Sequence, residues 1–273
     1  MITLEQLCEH IHMPAEVTGK VLKIREELDF GALHKSAGLL KRKSTWTKGL
    51  DKLKKVLSED PDGLKLLTCM LVTGLSTYED YQKKGIGEEI YYATFGCFSR
   101  FVNEYKVSYG HDGFDRGFWA PRQLSMMLFR IGELEYEFFE WNGQKVINMH
   151  IPSDVVLTME NCRISFIKAK EFLSAYYPDY KYTAFVCDSW LLSPNLKEVL
   201  QADSRILQFQ NSFTVMEFNP EAGDYLEWVF KNRDIAVEDA PEDTSLQRRL
   251  KAFVLNGGKV GCAFGVLEKD PFV

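Results

Sequence analysis

The chain reads as an all-helical N-terminal domain, residues 1–120, followed by a mixed β-sheet domain, residues 121–273, an α+β/α/β architecture. Three observations predict this. Before residue 120 apolar side chains recur every three or four positions, as in Val17, Val21 and Ile24 or Tyr91, Phe95 and Phe98, the spacing of one helix face. From Leu128 the period becomes two. Leu134, Tyr136 and Phe138 share one face, and Glu133, Glu135 and Glu137 the other, the pattern of a half-buried strand. The order strand, helix, strand between Gln144 and Cys187 then predicts two parallel neighbours joined by a right-handed crossover.

Length and composition fit this division. A chain of 273 residues is long for one domain and comfortable for two. At 45% hydrophobic and 26% charged it has a globular composition. The net charge of −6 offers no general attraction to nucleic acid or to anionic membranes. The six cysteines are scattered without a CxxC. That argues against a zinc or redox site and fits the reducing cytoplasm. The start MITLEQLCEHIH lacks the basic and apolar regions of a signal peptide, and every apolar run is too short to span a bilayer.

The helical half begins with Thr3 and Gln6, spaced as a capping box. Pro14 opens a second helix. Residues 30–43 and 46–57 form two shorter, basic helices whose lysines read as a solvated face. Asp62 is placed to cap an apolar helix through Leu64, Leu67, Met70 and Leu71, which ends near Gly85. A second long helix runs from Ile86 to Tyr105, and its aromatic stripe reads as core packing against the first. His10 and His12 do not share a helix face, so they form no metal pair with Cys8 and His34. The glycine- and aromatic-rich segment from Ser108 to Trp119 reads as the linker between the halves, and residues 120–127 as a short helix.

The second half opens with a hairpin, FRIGELEYEFFEW and QKVINMHIPS, turned at Asn142-Gly143, where both residues tolerate positive φ. A loop leads to a helix over 163–177, with Ile164, Ile167, Lys168 and Phe172 at helical spacing, stopped by Pro178. Tyr182 to Cys187 is a short buried strand. Pro194 starts a short helix, residues 205–218 alternate as one bent strand or two, and Asp224 to Phe230 is helical. VEDAPED is a loop. Thr244 caps a helix that ends at Gly257-Gly258, and KVGCAFGVLEK is the last strand.

The segments FRIGELEYE, HIPS, CDSWLLSPNL and SRILQFQNSF resemble the bacterial acyltransferase-domain proteins with a helical N-acyltransferase N-terminal domain and a GNAT-like C-terminal domain. The resemblance covers most of the chain. It implies a GCN5-related N-acetyltransferase fold, with acetyl-CoA or another acyl-CoA entering between two diverging parallel strands. It also implies acyl-CoA-dependent N-acyltransfer, by direct transfer, to an amine on a small molecule or protein. One feature departs from the wider superfamily: the loop SDVVLTMENCR lacks the glycines of its pyrophosphate loop, which let backbone amides approach phosphate without a Cβ.

Ligands in such sheets sit at the carboxyl ends of parallel strands, beside a helix N-terminus. Those positions carry His150, Ser153, Ser189 and Trp190 on the strand ends, and Thr158, Asn161 and Arg163 at the helix start. His150 is the candidate base, with Glu135 or Glu137 acting through water as another. Arg130 is a candidate for a carboxylate or phosphate. Ser153, Thr158, Asn161, Arg163 and Trp190 are the candidate CoA-binding residues, and no metal ligand set is visible. A second reading makes Cys187 or Ser189 a nucleophile activated by His150, although the chain lacks a G-x-S-x-G elbow. A third is a non-catalytic GNAT-like ligand- or protein-binding module, which the glycine-free loop favours.

Overall fold

The structure, a computed structural model, describes residues 2–269, 271 and 272. It divides into two compact units, one running to Arg130 and the other starting at Ile131.

The first unit is helical: α1 (Leu4–His10), α2 (Ala15–Glu27), α3 (Phe30–Gly38), α4 (Trp46–Leu57), α5 (Leu64–Lys84), α6 (Glu88–Tyr109) and α7 (Pro121–Leu124), with most of β1 (Leu128–Ile131) at its end. The Thr3 capping box forms: Oγ1 accepts the Gln6 N–H and Gln6 Oε1 accepts the Thr3 N–H. Gly85, at φ +73°, ends α5 in the left-handed conformation open to glycine. Tyr91, Phe95, Phe98 and Phe101 are buried, so the aromatic stripe of α6 is core. Two expectations change. Asp62 does not cap α5. Gly63 turns the chain at φ +69°, and the Asp60 carboxylate accepts the Lys65 and Leu66 N–H groups, each at 2.9 Å. The Ser108–Trp119 segment is not a free tether. Asp112, Phe114 and Arg116 are buried, and Asp112 accepts a hydrogen bond from Lys20 at 2.8 Å and forms an ion pair with Lys106 at 3.0 Å.

The second unit holds β2 (Leu134–Trp141), β3 (Gln144–His150), α8 (Met159–Tyr176), β4 (Phe185–Ser189), α9 (Leu196–Val199), α10 (Arg205–Gln210), β5 (Phe213–Asn219), α11 (Asp224–Val229), α12 (Ser245–Leu255) and β6 (Cys262–Leu267). The strand order is β1-β2-β3-β4-β6-β5. β2 and β3 pair antiparallel across Asn142 and Gly143, both at positive φ. β3 and β4 pair parallel, and β6 runs antiparallel to β4 and to β5, so the sheet is mixed. Thr244 closes a second capping box, on α12.

Two readings of this half are corrected. Residues 205–218 are not all strand. Ser204 caps α10 by accepting the Ile206 N–H, and only Phe213–Asn219 is extended. The alternation of RILQFQ is too short to outweigh a cap and a following turn. The buried face of α8 also differs. Ile164 and Ile167 are 38% and 39% exposed, whereas Cys162, Ser165, Phe166 and Ala169 face inward. Phe166 packs on Phe185 with ring centroids 4.8 Å apart. The buried Ser165 Oγ donates to the Ile131 carbonyl and accepts the Leu134 N–H. Together these contacts set the rotation of the helix.

Candidate functional site

The paired register of β3 with β4 covers Ile147–Asn148 against Phe185–Val186, yet the strands run on to His150 and Ser189. Cross-strand partners share a sheet face, and successive residues alternate. Glu135 lies opposite His150 and Glu137 opposite Asn148. Val186 sits beside Asn148, and Asp188 is two residues further on. One face therefore carries Glu135, Glu137, Asn148, His150 and Asp188. It continues into the apolar cluster of Val146, Val186 and Phe264, packed with Phe139 and Trp141.

That continuity explains a correction. The period-two pattern places Glu135 and Glu137 on a solvated face, but they are only 2% and 4% exposed. A buried carboxylate needs a donor. His150 Nε2 supplies one to Glu137 Oε2 at 2.8 Å. A carboxylate only accepts, so in this pair Nε2 carries the N–H that donates. Asn148 Nδ2 lies 3.5 Å from the same Nε2. Glu137 has thus become the partner that orients His150. The signal for Asn148 was a polar residue inside the apolar run VINM, two before the histidine.

On β4, Asp188 Oδ1 accepts the Cys262 thiol hydrogen at 3.4 Å. Burial raises the Asp188 carboxyl above its ordinary value. Asp224 and Glu217 push it further up, while the Cys262 hydrogen bond and the His150 charge pull it down. Ser189 Oγ accepts the Leu191 N–H at 3.1 Å and caps a 3-10 turn. Trp190 belongs to an apolar core with Leu191, Leu196 and Tyr225. Cys187 is fully buried, and desolvation pushes its thiol well up. A buried, protonated thiol is a poor nucleophile, which counts against the acyl-enzyme reading through Cys187.

At the start of α8 the side chains serve one another. Thr158 Oγ1 accepts the Asn161 N–H, and Asn161 Nδ2 donates to the Val156 carbonyl at 2.9 Å. Arg163 pairs with Glu160 at 3.1 Å on the exposed surface. Glu133 accepts the Val156 N–H at 2.9 Å, and Ser153 is exposed on the same loop. Among the described residues no three of His, Cys, Asp and Glu are grouped to hold a metal ion. No described helix is long and apolar enough to cross a membrane.

Comparison with known proteins agrees with this architecture. Residues 2–126 match the N-acyltransferase N-terminal domain and residues 128–267 the GNAT-like C-terminal domain. Curated protein sequences give no match. Among solved structures, an acyltransferase in complex with decanoyl-CoA and teicoplanin is similar with a TM-score of 0.80 at 19% identity, over 96% of this chain and 86% of that one. An acyltransferase with CoA and 10C-teicoplanin reaches 0.81 at 19% identity, over 97% and 87%. One with decanoyl-CoA reaches 0.79 at 21% identity, over 96% and 86%. At these identities the likeness speaks for the fold. With more than half of its length matched by one family model, the chain belongs to the GNAT-like C-terminal domain family and carries that domain behind an N-acyltransferase N-terminal domain.

Proposed function

We propose that the chain transfers an acyl group from acyl-CoA directly to an amine. The observation that carries this is the His150–Glu137 pair at the end of β3, beyond the stretch paired with β4. In the reaction the amine nitrogen bonds to the thioester carbonyl carbon and its excess proton passes to His150 Nδ1. The C–S bond breaks, and the CoA thiolate takes up a proton. Glu137 keeps the imidazole oriented and stabilises it once charged. Acyl-CoA complexes of the structural neighbours support the choice of donor. The neighbour solved with teicoplanin makes that compound the first acceptor to try. Ser153, Thr158, Asn161 and Arg163 remain the candidate phosphate contacts. CoA has to draw Arg163 away from Glu160 to use it.

A second reading, a non-catalytic ligand- or protein-binding module, rests on that same loop. It has no glycine, and Glu133 places a carboxylate against it. Calorimetry with acetyl-, octanoyl- and decanoyl-CoA separates the two. Heat of binding, followed by CoA release when an amine is added, supports transfer. No heat with any of the three supports the module.

A further inference from the structure

One stretch of the helical unit runs against the sign of the chain. Residues 41–55 hold seven Lys or Arg against one Asp, a net of +6, while the whole chain is −6, which leaves −12 on the rest. Lys41 is held by Asp80 and Ser76. Arg42, Lys43, Lys48, Lys52, Lys54 and Lys55 are exposed. Among the described residues Arg42, Lys48, Lys52, Lys54 and Lys55 make no ion pair, and neither does Asp51. On α4, Lys48, Lys52 and Lys55 are spaced i, i+4, i+7 and form one row. The row lies opposite the buried Leu50, Leu53 and Leu57. Lys54 and Lys55 sit in the last turn, where the helix dipole favours cations. That does not account for Lys48, which stands in a first turn with no acidic residue. Nor does it account for the like charges at Lys48–Lys52 and Lys52–Lys55, which repel along the row. A face that is only solvated needs no such arrangement. The exposed side of α2 mixes signs, and its Lys23 pairs with Glu27.

We propose that this face of α4 docks an acidic α-helix of a partner protein. From Lys48 to Lys55 the row covers two turns, about 10 Å. A helix with carboxylates at i, i+4 and i+7 presents a row of the same length and opposite sign. Val56, 58% exposed, flanks the row and gives the contact an apolar edge. A bilayer is a poorer match, because the apolar side of α4 is already buried within its own unit and has nothing left to insert. Nucleic acid is a poorer match too. An extended polyanion meets the −12 of the rest of the chain as well as the +6 here. The row is also lysine, a point charge, whereas phosphate recognition favours the arginine fork. The docking surface is independent of the acyl-transfer reading.

The test is fluorescence anisotropy on the full chain at about 0.1 M salt, where a Debye length of about 10 Å screens charges on other surfaces. The probe is a labelled synthetic helical peptide with glutamates at i, i+4 and i+7, and its counterpart carries glutamines there. The glutamate peptide is expected to bind at one site and the glutamine peptide not at all. Lys48→Glu, Lys52→Glu and Lys55→Glu together are expected to weaken binding about tenfold or more, the effect of three surface pairs lost at once. Their Tm should hold, since all three side chains are exposed. The matched reversal Lys197→Glu, Arg205→Glu and Arg249→Glu, also at exposed positions, is expected to leave the affinity unchanged. No binding of the glutamate peptide overturns the proposal. So does equal binding of the glutamine peptide, or an equal loss in both triple variants. Tighter binding of phosphatidylglycerol vesicles or of a DNA duplex than of the peptide overturns the choice of partner.

Discussion

Replacing Glu137 by glutamine keeps an oxygen acceptor against His150 and removes the charge behind it. The pair is short, 2.8 Å, and Glu137 is buried, so water screens it weakly. A hydrogen bond to a charged group contributes about 1.5–3 kcal/mol, and a neutral one about 0.5–1.5 kcal/mol. The loss is therefore about 1–2 kcal/mol, felt when the imidazole becomes positive in the transition state. It converts to a fall in kcat of about 5- to 30-fold. The assay follows CoA release with a thiol reagent, using decanoyl-CoA and teicoplanin, and measures the decanoyl-CoA Kd by calorimetry alongside. Glu137→Gln is expected to lower kcat and leave that Kd unchanged. His150→Ala should lower kcat further, by about a hundredfold or more. A Glu137→Gln enzyme with wild-type kcat, or one whose Kd shifts by the same factor as kcat, refutes the orienting role. The pair is then a structural contact, visible only as a change in Tm.

Arg163→Glu should weaken acyl-CoA, most at low salt, because a phosphate contact is mainly charge; a Kd unchanged at low salt places the phosphates elsewhere. Asp112→Asn should destabilise the helical unit by about 1–2 kcal/mol, since a buried carboxylate loses its charge between two half-exposed lysines. Hydrogen bonds from Lys20 and then Lys106 hold the Asp112 carboxyl below its ordinary 3.8. Its contribution is thus present above that pH and lost as pH falls through the lower folded value. Wild-type and Asp112→Asn stabilities should converge in acid and differ at neutrality. Thiol labelling of the native chain at mild pH should be slow. Five of the six cysteines are buried, and burial pushes the Cys8 thiol up to about 11 and those of Cys69 and Cys162 up to about 12. Rapid native labelling of Cys187 would reopen the acyl-enzyme reading, and unfolding should expose all six.

Where short-range chemistry decides, the sequence was legible. A Thr3–Gln6 or Thr244–Gln247 box needs only neighbours three residues apart, and both form. Asn142-Gly143 makes its turn because those two residues accept positive φ locally. The parallel pairing of β3 and β4 follows from connection handedness. Local pattern failed where two structures share one pattern. RILQFQ alternates like a strand yet starts behind a serine cap, and the cap prevails. Asp62 and Asp60 both precede α5, and only the path of the backbone through Gly63 decides which carboxylate reaches the helix N–H groups.

For the site, the sequence by itself placed His150 at the end of one strand, a parallel neighbour ending near Cys187, and a helix between them; the structure carries that neighbour on to Ser189 and starts the helix at Met159 behind Thr158. Those properties depend on period, turn and cap. Tertiary structure alone decided what these residues face. Alternation says that Glu135 and Glu137 share a face, but burial depends on what covers that face, and here it runs on into Val146 and Val186. Strand register, a long-range property, brought Glu137 to His150. The inward face of α8 was decided the same way, by Phe185 and the Ile131 carbonyl, which lie far from it in the chain. A helix or strand forms from residues a few positions apart, whereas a site forms from residues that only packing brings together.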